Sequence, residues 1–295
     1  MVDVKGRCAV SNQFATVHRH LRGTDDAPAQ VRAGPRKALG QHFLADSRIL
    51  SRVLAAAEIT GDDTVVEVGP GRGALTRRLV DRAVRVIALE LDPQLAAALP
   101  ARLGDPPNLT VVEADARKVD IGSLVGPDAI YKVVGNLPYY AANPIVRRFL
   151  ELNPQPRLMV VMVQQEVARS MAAGPGKMGL LSVATQFYAV PKIVCSVPPR
   201  VFRPPPKVTS ALVRLEVRAK PAVDVADPDA FFALVRAGFS APRKQLRNSL
   251  GHGLGVANQV VGQLLLDLEL DGSLRPANLS LKDWAIIYRA WASLS

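Results

Sequence analysis

Cysteine is scarce in this chain. Among 295 residues only Cys8 and Cys195 carry a thiol, and they lie far apart. Two distant cysteines give no disulfide framework and no metal-ligand spacing, so a reducing cytoplasm is the expected setting. Histidine is scarce too, with four residues. Of these, His18 and His20 fall in a polar amino-terminal stretch, and no metal site is expected. There is no apolar run of about 18 residues, which excludes a membrane-spanning helix. The amino terminus lacks a continuous apolar stretch before a small-residue cleavage site, so no secretory signal is expected. Acidic residues are in deficit: 26 Asp and Glu face 37 Lys and Arg, for a net charge of +11. A basic balance of this size suits a polyanionic partner such as nucleic acid.

What is present is organised. Residues 1–34 mix Gly, Asp, Pro and Arg without periodicity and read as a disordered extension. Next, Ile49, Leu50, Val53, Leu54 and Ala57 recur at helical spacing. Short apolar strands are expected at Thr64–Val68, Val84–Leu89, Leu109–Val112, Tyr131–Val134 and Leu158–Val163. Helices fit between them; one spans Ala74 to Val80, and another opens at Pro93, where proline is favoured. Near-continuous apolar strands alternating with helices imply a parallel sheet covered on both faces. The pattern then changes. Leu180 to Val190 reads as helix, and Lys192 to Val197 and Ser210 to Val217 read as two strands joined by the proline-rich segment 198–206. Two strands with no helix between them suggest an antiparallel hairpin at a sheet edge. After a linker at 220–227, only helical patterns follow: Ala230–Phe239, Gln245–Leu250, Asn258–Leu268 and Leu281–Leu294. The expected division is an α/β domain over 35–220 and a small helical domain over 221–295.

Chemistry concentrates at the strand ends. Glu67-Val-Gly-Pro-Gly-Arg-Gly73 follows a strand and opens a helix. Glycines there let a ligand approach the backbone, and the helix start offers unpaired N–H groups. The spacing is G-x-G-x-G, not the G-x-G-x-x-G of dinucleotide enzymes. Glu90 ends the second strand, where a carboxylate can accept bonds from both ribose hydroxyls of a nucleoside ligand. Asp115 ends the third and can accept from an adenine amine. Together with Gly69 and Gly71, these acids favour S-adenosylmethionine over a nicotinamide cofactor.

The fourth strand runs into Val134-Gly-Asn-Leu-Pro-Tyr-Tyr140. In a doubly wound sheet the carboxyl ends of the strands form the ligand crevice, so this stretch should lie beside the methyl donor. An adenine amine is a poor nucleophile, because its lone pair is delocalised into the ring. Asn136 Oδ1 can accept one of its hydrogens and the Leu137 carbonyl the other, which localises the lone pair on nitrogen. Pro138 fixes the backbone so that the carbonyl points correctly. Tyr139 offers a ring face to an extruded base. No role is assigned to Tyr140.

These segments together resemble the rRNA adenine dimethyltransferases, specifically the bacterial small-subunit type linked to kasugamycin sensitivity. The resemblance spans about residues 35–295. It rests on Leu39-Gly-Gln-His-Phe-Leu44, Glu67-Val-Gly-Pro-Gly71, Glu90-Leu-Asp92, Asp115-Ala, Gly135-Asn-Leu-Pro-Tyr139, Val201-Phe-Arg-Pro-Pro-Pro-Lys-Val208 and Arg243-Lys-Gln-Leu-Arg-Asn-Ser-Leu250. It implies a Rossmann-like class I S-adenosylmethionine-dependent methyltransferase sheet with an antiparallel edge hairpin and a small all-α carboxyl-terminal domain. Donor contacts are then expected from His42, Leu44, Gly69, Gly71, Glu90, Asp115 and Asn136. Phe202 is expected as the second stacking surface for the target base. The implied reaction is N6,N6-dimethylation of two adjacent adenosines in a 3′-terminal hairpin of 16S rRNA in the 30S particle, with a role in small-subunit biogenesis and no obligate protein partner. The sequence departs from the family pattern at Tyr140-Ala-Ala-Asn143, usually Asn and then a hydroxyl residue. It departs again at Gln164-Gln165-Glu166, usually Gln-Lys-Glu.

Three acid-poor basic groups are candidate rRNA contacts: Arg243, Lys244 and Arg247; Arg200, Arg203 and Lys207; and Arg147 with Arg148 on the helix after the fourth strand. The alternatives left open are a large-subunit dimethyltransferase of the macrolide-resistance type and a non-catalytic rRNA-binding assembly factor.

Overall fold

The computed structural model describes residues 41–294; the extension expected over 1–34 lies outside them. Among the described residues nine strands are formed: β1 (Phe43–Leu44), β2 (Thr64–Val68), β3 (Arg85–Glu90), β4 (Leu109–Glu113), β5 (Tyr131–Asn136), β6 (Leu158–Gln164), β7 (Ala189–Val197), β8 (Phe202–Arg203) and β9 (Ser210–Val217). Helices α1 (Ser47–Ala57), α2 (Thr76–Val80), α3 (Pro93–Leu103), α4 (Ile121–Val125), α5 (Ala142–Glu151), α6 (Gln165–Met171) and α7 (Leu180–Tyr188) fall among them. The last four are α8 (Pro228–Gly238), α9 (Leu246–Leu254), α10 (Asn258–Asp267) and α11 (Leu281–Ala292).

The apolar strands have no polar face because both faces are covered. Val65, Val86, Val134, Val160 and Leu212 point into one core, beneath α1. Their neighbours Val66, Ile87, Val133, Val161 and Val213 point into the other, against Ile145, Val146 and Phe149 of α5. This is the period-two alternation of a strand serving two cores at once.

The large sheet has the order β4-β3-β2-β5-β6-β9-β7. β2 to β6 are parallel, and β9 pairs antiparallel with both β6 and β7. The expected hairpin therefore sits at the edge, with β9 inside and β7 outside. From β2 the chain winds outward to β3 and β4, then returns to β5 on the other side. Between β2 and β5 the winding reverses, and a crevice opens at their carboxyl ends. β7 begins at Ala189, three residues earlier than the pattern suggested, because Pro191 keeps Val190 out of the helix.

Local signals fix the helix starts. Asp46 accepts from the backbone N–H groups of Arg48 and Ile49 to cap α1. Asp92 caps α3 and Asp227 caps α8, each with proline at the first helical position.

The carboxyl-terminal helices have their own core, built on Trp284, Phe231, Leu250 and Leu265. Val183 and Phe187 of α7 and Met178 join it, so that core reaches across the 220/221 division. Sheet and helices belong to one compact unit. Among the described residues no helix is long and apolar enough to cross a membrane.

Candidate active site

The turn after β2 is built on Gly69, Gly71 and Gly73, with φ of +71°, +56° and +83°. Only glycine adopts that region without strain. Gly71 is also fixed by space, since a Cβ there would lie 2.9 Å from the Phe43 ring. The turn is pinned from β3. Gly69 N–H donates to the Leu89 carbonyl at 3.0 Å, and Gly71 N–H donates to Glu90 Oε2 at 3.0 Å. Glu90 Oε1 accepts from Asp92 N–H at 3.0 Å. Burial raises the Glu90 carboxyl above its ordinary value, and these backbone bonds oppose the rise.

One cleft lies over the crevice. His42, Gly69, Gly71, Glu90, Asp115, Asn136, Leu137, Pro138 and Tyr139 all line it. Four strand ends and the segment before β1 thus converge, though they span about a hundred residues of sequence.

Asn136 is oriented by a single bond: its Nδ2 donates to the His42 carbonyl at 2.7 Å. A carbonyl can only accept, so the amide nitrogen must face His42 and Oδ1 must point elsewhere. Gly135 lets β5 pass close to β2. A Cβ at that position would come within 2.5 Å of the Val68 carbonyl oxygen. His42 is held twice more. Its Nδ1 lies 2.8 Å from the Pro204 carbonyl, so Nδ1 carries the proton. Its ring stacks on Tyr139 at 5.8 Å between centroids. The Tyr139 hydroxyl in turn lies 2.6 Å from Ser210 Oγ, on β9. One face of the Tyr139 ring is therefore covered, and the ring is tethered at its far end.

Asp115 is clamped by a residue that sequence reasoning missed. Arg117 Nη2 pairs with Asp115 Oδ2 at 2.6 Å, and Arg117 Nε and its backbone N–H both donate to Oδ1. That guanidinium holds the Asp115 carboxyl below the usual carboxylate range. Arg117, Gln41, Phe43 and Tyr140 also line the cleft. The only sequence signal for Arg117 was its position two residues beyond a candidate acid.

Several expectations need correction. Leu44 does not line this cleft; it lines a smaller cavity behind the glycine turn. Phe202 is not an exposed platform. Its residue pairs with Leu44 in the short ladder between β1 and β8, and its ring is 0% exposed within the core beneath α1. Arg148 is turned inward, donating to the Lys118 and Val119 carbonyls with its Nε buried. A guanidinium spent on the backbone is not presented to phosphate. Arg147 is exposed but paired with Glu151 at 2.7 Å. Arg200, Arg203, Lys207, Arg243, Lys244 and Arg247 are exposed.

Residues 33–274 match the family described as ribosomal RNA adenine dimethylase. A "Ribosomal RNA small subunit methyltransferase A" from Dehalococcoides mccartyi is 43% identical over 252 residues, covering 85% of this chain and 87% of the relative. The protein of the same name from Pelotomaculum thermopropionicum is 43% identical over 265 residues, covering 86% and 90%. Among solved structures, a dimethyladenosine transferase from Plasmodium falciparum superposes with a TM-score of 0.73 at 25% identity, covering 85% of this chain and 98% of its own. The 23S rRNA methyltransferase ErmE gives 0.67 at 31% identity, covering 84% and 98%. The chain belongs to the ribosomal RNA adenine dimethylase family.

Proposed function

We propose that this chain transfers methyl groups from S-adenosylmethionine to the N6 amine of adenosines in small-subunit rRNA. The observation that carries the reading is the Asn136 amide, whose nitrogen is tied to the His42 carbonyl so that Oδ1 remains to accept from an incoming amine. The donor is a sulfonium, which supplies an electrophilic methyl without help from a metal.

The residues fit such a donor. Glu90 is buried at the tip of β3 with each oxygen holding one backbone bond, which leaves lone pairs for ribose hydroxyls. Asp115 would receive the adenine amine, sharing its oxygens with Arg117. Asn136 Oδ1 and the Leu137 carbonyl accept the two hydrogens of the target N6. The amine lone pair, no longer drawn into the ring, attacks the methyl carbon. The C–S bond breaks with its electrons passing to sulfur, and the extra N6 proton leaves to solvent. The base stacks on the face of Tyr139 that His42 leaves open.

The names of the curated relatives favour the small subunit over the large. Dimethylation of two adjacent adenosines near the 3′ end of 16S rRNA in the 30S particle is the specific form proposed. Arg200, Arg203, Lys207, Arg243, Lys244 and Arg247 are the proposed phosphate contacts.

The test is undermethylated 30S particles incubated with labelled donor. The expected end point is about four methyl groups per particle, all on adenosine. Label appearing in 50S particles instead would shift the target, and no label in either would refute the activity. Asn136→Ala should lose transfer by a factor of about a hundred or more while still binding donor. Full activity in that variant would sink the assigned mechanism.

A further inference from the structure

The carboxylate just past the end of β4 is fixed in direction as well as in charge. Asp115 opens a turn in which the Lys118 and Val119 N–H groups donate to its carbonyl at 2.8 and 3.0 Å. Its side chain accepts from the Arg117 backbone N–H at 2.9 Å. The Arg117 guanidinium then reaches back over the turn. Its Nε lies 3.0 Å from Oδ1 and 3.1 Å from Oδ2, and its Nη2 lies 2.6 Å from Oδ2. Two planar groups therefore meet edge to edge, the bidentate arrangement that orients a carboxylate.

An ion pair between exposed neighbours in a turn is ordinarily worth little. This one differs by its place, since both residues line the main cleft. The Arg117 side chain is 40% exposed and that of Asp115 19%, so the arginine is the more open of the two. Lys118 acts on Asp115 in the same sense as Arg117. Tyr140, on the cleft wall, stands close enough for its hydroxyl to act on the Arg117 charge. The count of acceptors then decides what Asp115 can still do. An ionised carboxylate offers about four acceptor positions. The Arg117 backbone N–H and Nε take both on Oδ1, although Nε leans toward Oδ2 as well, and Nη2 takes one on Oδ2. One position on Oδ2 is left.

We propose that Arg117 is a positioning residue for the adenine of the donor, filling Oδ1 so that Asp115 offers the base one fixed acceptor on Oδ2. The proposal rests on the donor reading above. A single open lone pair on an ionised oxygen takes an N–H and repels a carbonyl oxygen. The N6 amine of adenine meets that demand, and the oxygen at the same place in hypoxanthine does not. Without the guanidinium the carboxylate is free to turn toward water, and neither oxygen is singled out. Adenine binding then carries the cost of ordering the Asp115 side chain. Arg117 acts through Asp115 and has no part in the transfer of the methyl group.

The experiment is calorimetric titration of the full chain with S-adenosylhomocysteine and separately with S-inosylhomocysteine, in which oxygen replaces the N6 amine. The two ligands differ at the edge of the base that Asp115 would touch. The wild-type protein should prefer the adenosyl ligand by about tenfold or more. Arg117→Gln should weaken the adenosyl ligand about tenfold and leave the inosyl ligand within about twofold, so that the preference collapses. In an Asp115→Ala background the same change should cost the adenosyl ligand less than about twofold, because the group that Arg117 positions is gone. Equal affinity of the wild-type protein for the two ligands overturns the proposal, whether or not any variant folds. Equal weakening of both ligands by Arg117→Gln also overturns it, since a merely structural role has that signature. Failure of both ligands to bind the wild-type protein overturns the donor reading instead, and the proposal falls with it.

Discussion

Replacing Glu67 by Gln should make this protein more stable above about pH 4.5, increasingly so up to about pH 8. Glutamine has the shape of a protonated glutamic acid, so the perturbation removes the titration and little else. In the folded chain the Glu67 carboxyl is raised from 4.5 to about 8. The sign follows from proton counting. Below pH 4.5 both folded and unfolded chains hold the proton, and the group has no effect on stability. Between 4.5 and 8 the unfolded chain loses it while the folded chain keeps it, so stability falls as pH rises. Above 8 both are ionised and the loss is complete. At about 1.36 kcal/mol for each factor of ten, the full loss is on the order of 4–5 kcal/mol. The group is 2% exposed, so solvent screening does little to reduce that figure. Glu90 is also raised by burial and pulls the wild-type curve the same way; its burial is common to both proteins, so the comparison isolates Glu67 together with its repulsion from Glu90. The assay is urea unfolding at pH 5 and pH 8, followed by circular dichroism. Fluorescence alone would not serve, because both tryptophans, Trp284 and Trp291, lie in α11 and report on the helical core. The variant should exceed the wild type by no more than about 1 kcal/mol near pH 5 and by several kcal/mol at pH 8. A difference independent of pH would refute the reasoning.

Three further perturbations separate structural from functional residues. Gly135→Ala places a Cβ 2.5 Å from the Val68 carbonyl, a backbone atom no rotamer change can move, and should cost about 1–3 kcal/mol in the same urea assay. Arg148→Ala should lower stability by about 1–3 kcal/mol through loss of its two carbonyl bonds, while leaving the salt dependence of rRNA binding unchanged. Changing Arg243, Lys244 and Arg247 together to Gln should weaken rRNA binding and flatten the slope of log affinity against log salt by about 2–3, measured by filter binding. An unchanged slope would remove that cluster from the interface.

Much of this was legible in the sequence, for identifiable reasons. Thr64–Val68 and Ser210–Val217 appear in the structure with the bounds their patterns gave, because strands buried on both faces must be apolar throughout and are cut short by turns. The cleft was legible because parallel strands bring their carboxyl ends to one edge. Glu90, Asp115 and Asn136 had to meet there once the strands were placed. Other features depend on contacts that have no period. β1 and β8 are two residues each, too short for any pattern, so their pairing was not anticipated, nor was the burial of Phe202. The inward turn of Arg148 depends on carbonyls 29 and 30 residues away. Glu67 did leave a signal, an acid among valines in a strand read as fully buried.

The three carboxyl groups at the ends of β2, β3 and β4 meet three different environments, and the differences are graded. Asp115 is partly exposed and clamped by a guanidinium, and its carboxyl is lowered. Glu90 is buried but satisfied by two backbone N–H groups, and its carboxyl is raised. Glu67 is fully buried beside the Thr76 hydroxyl and near the Glu90 carboxylate, and is raised furthest among them, to about 8. At neutral pH negative charge is therefore permanent at Asp115, where the proposed donor would place its adenine, and absent from Glu67 behind the glycine turn. A fixed charge at Asp115 serves the part of the ligand that does not change during transfer. The burial that keeps Glu67 protonated is what makes the folded chain lose stability as pH rises.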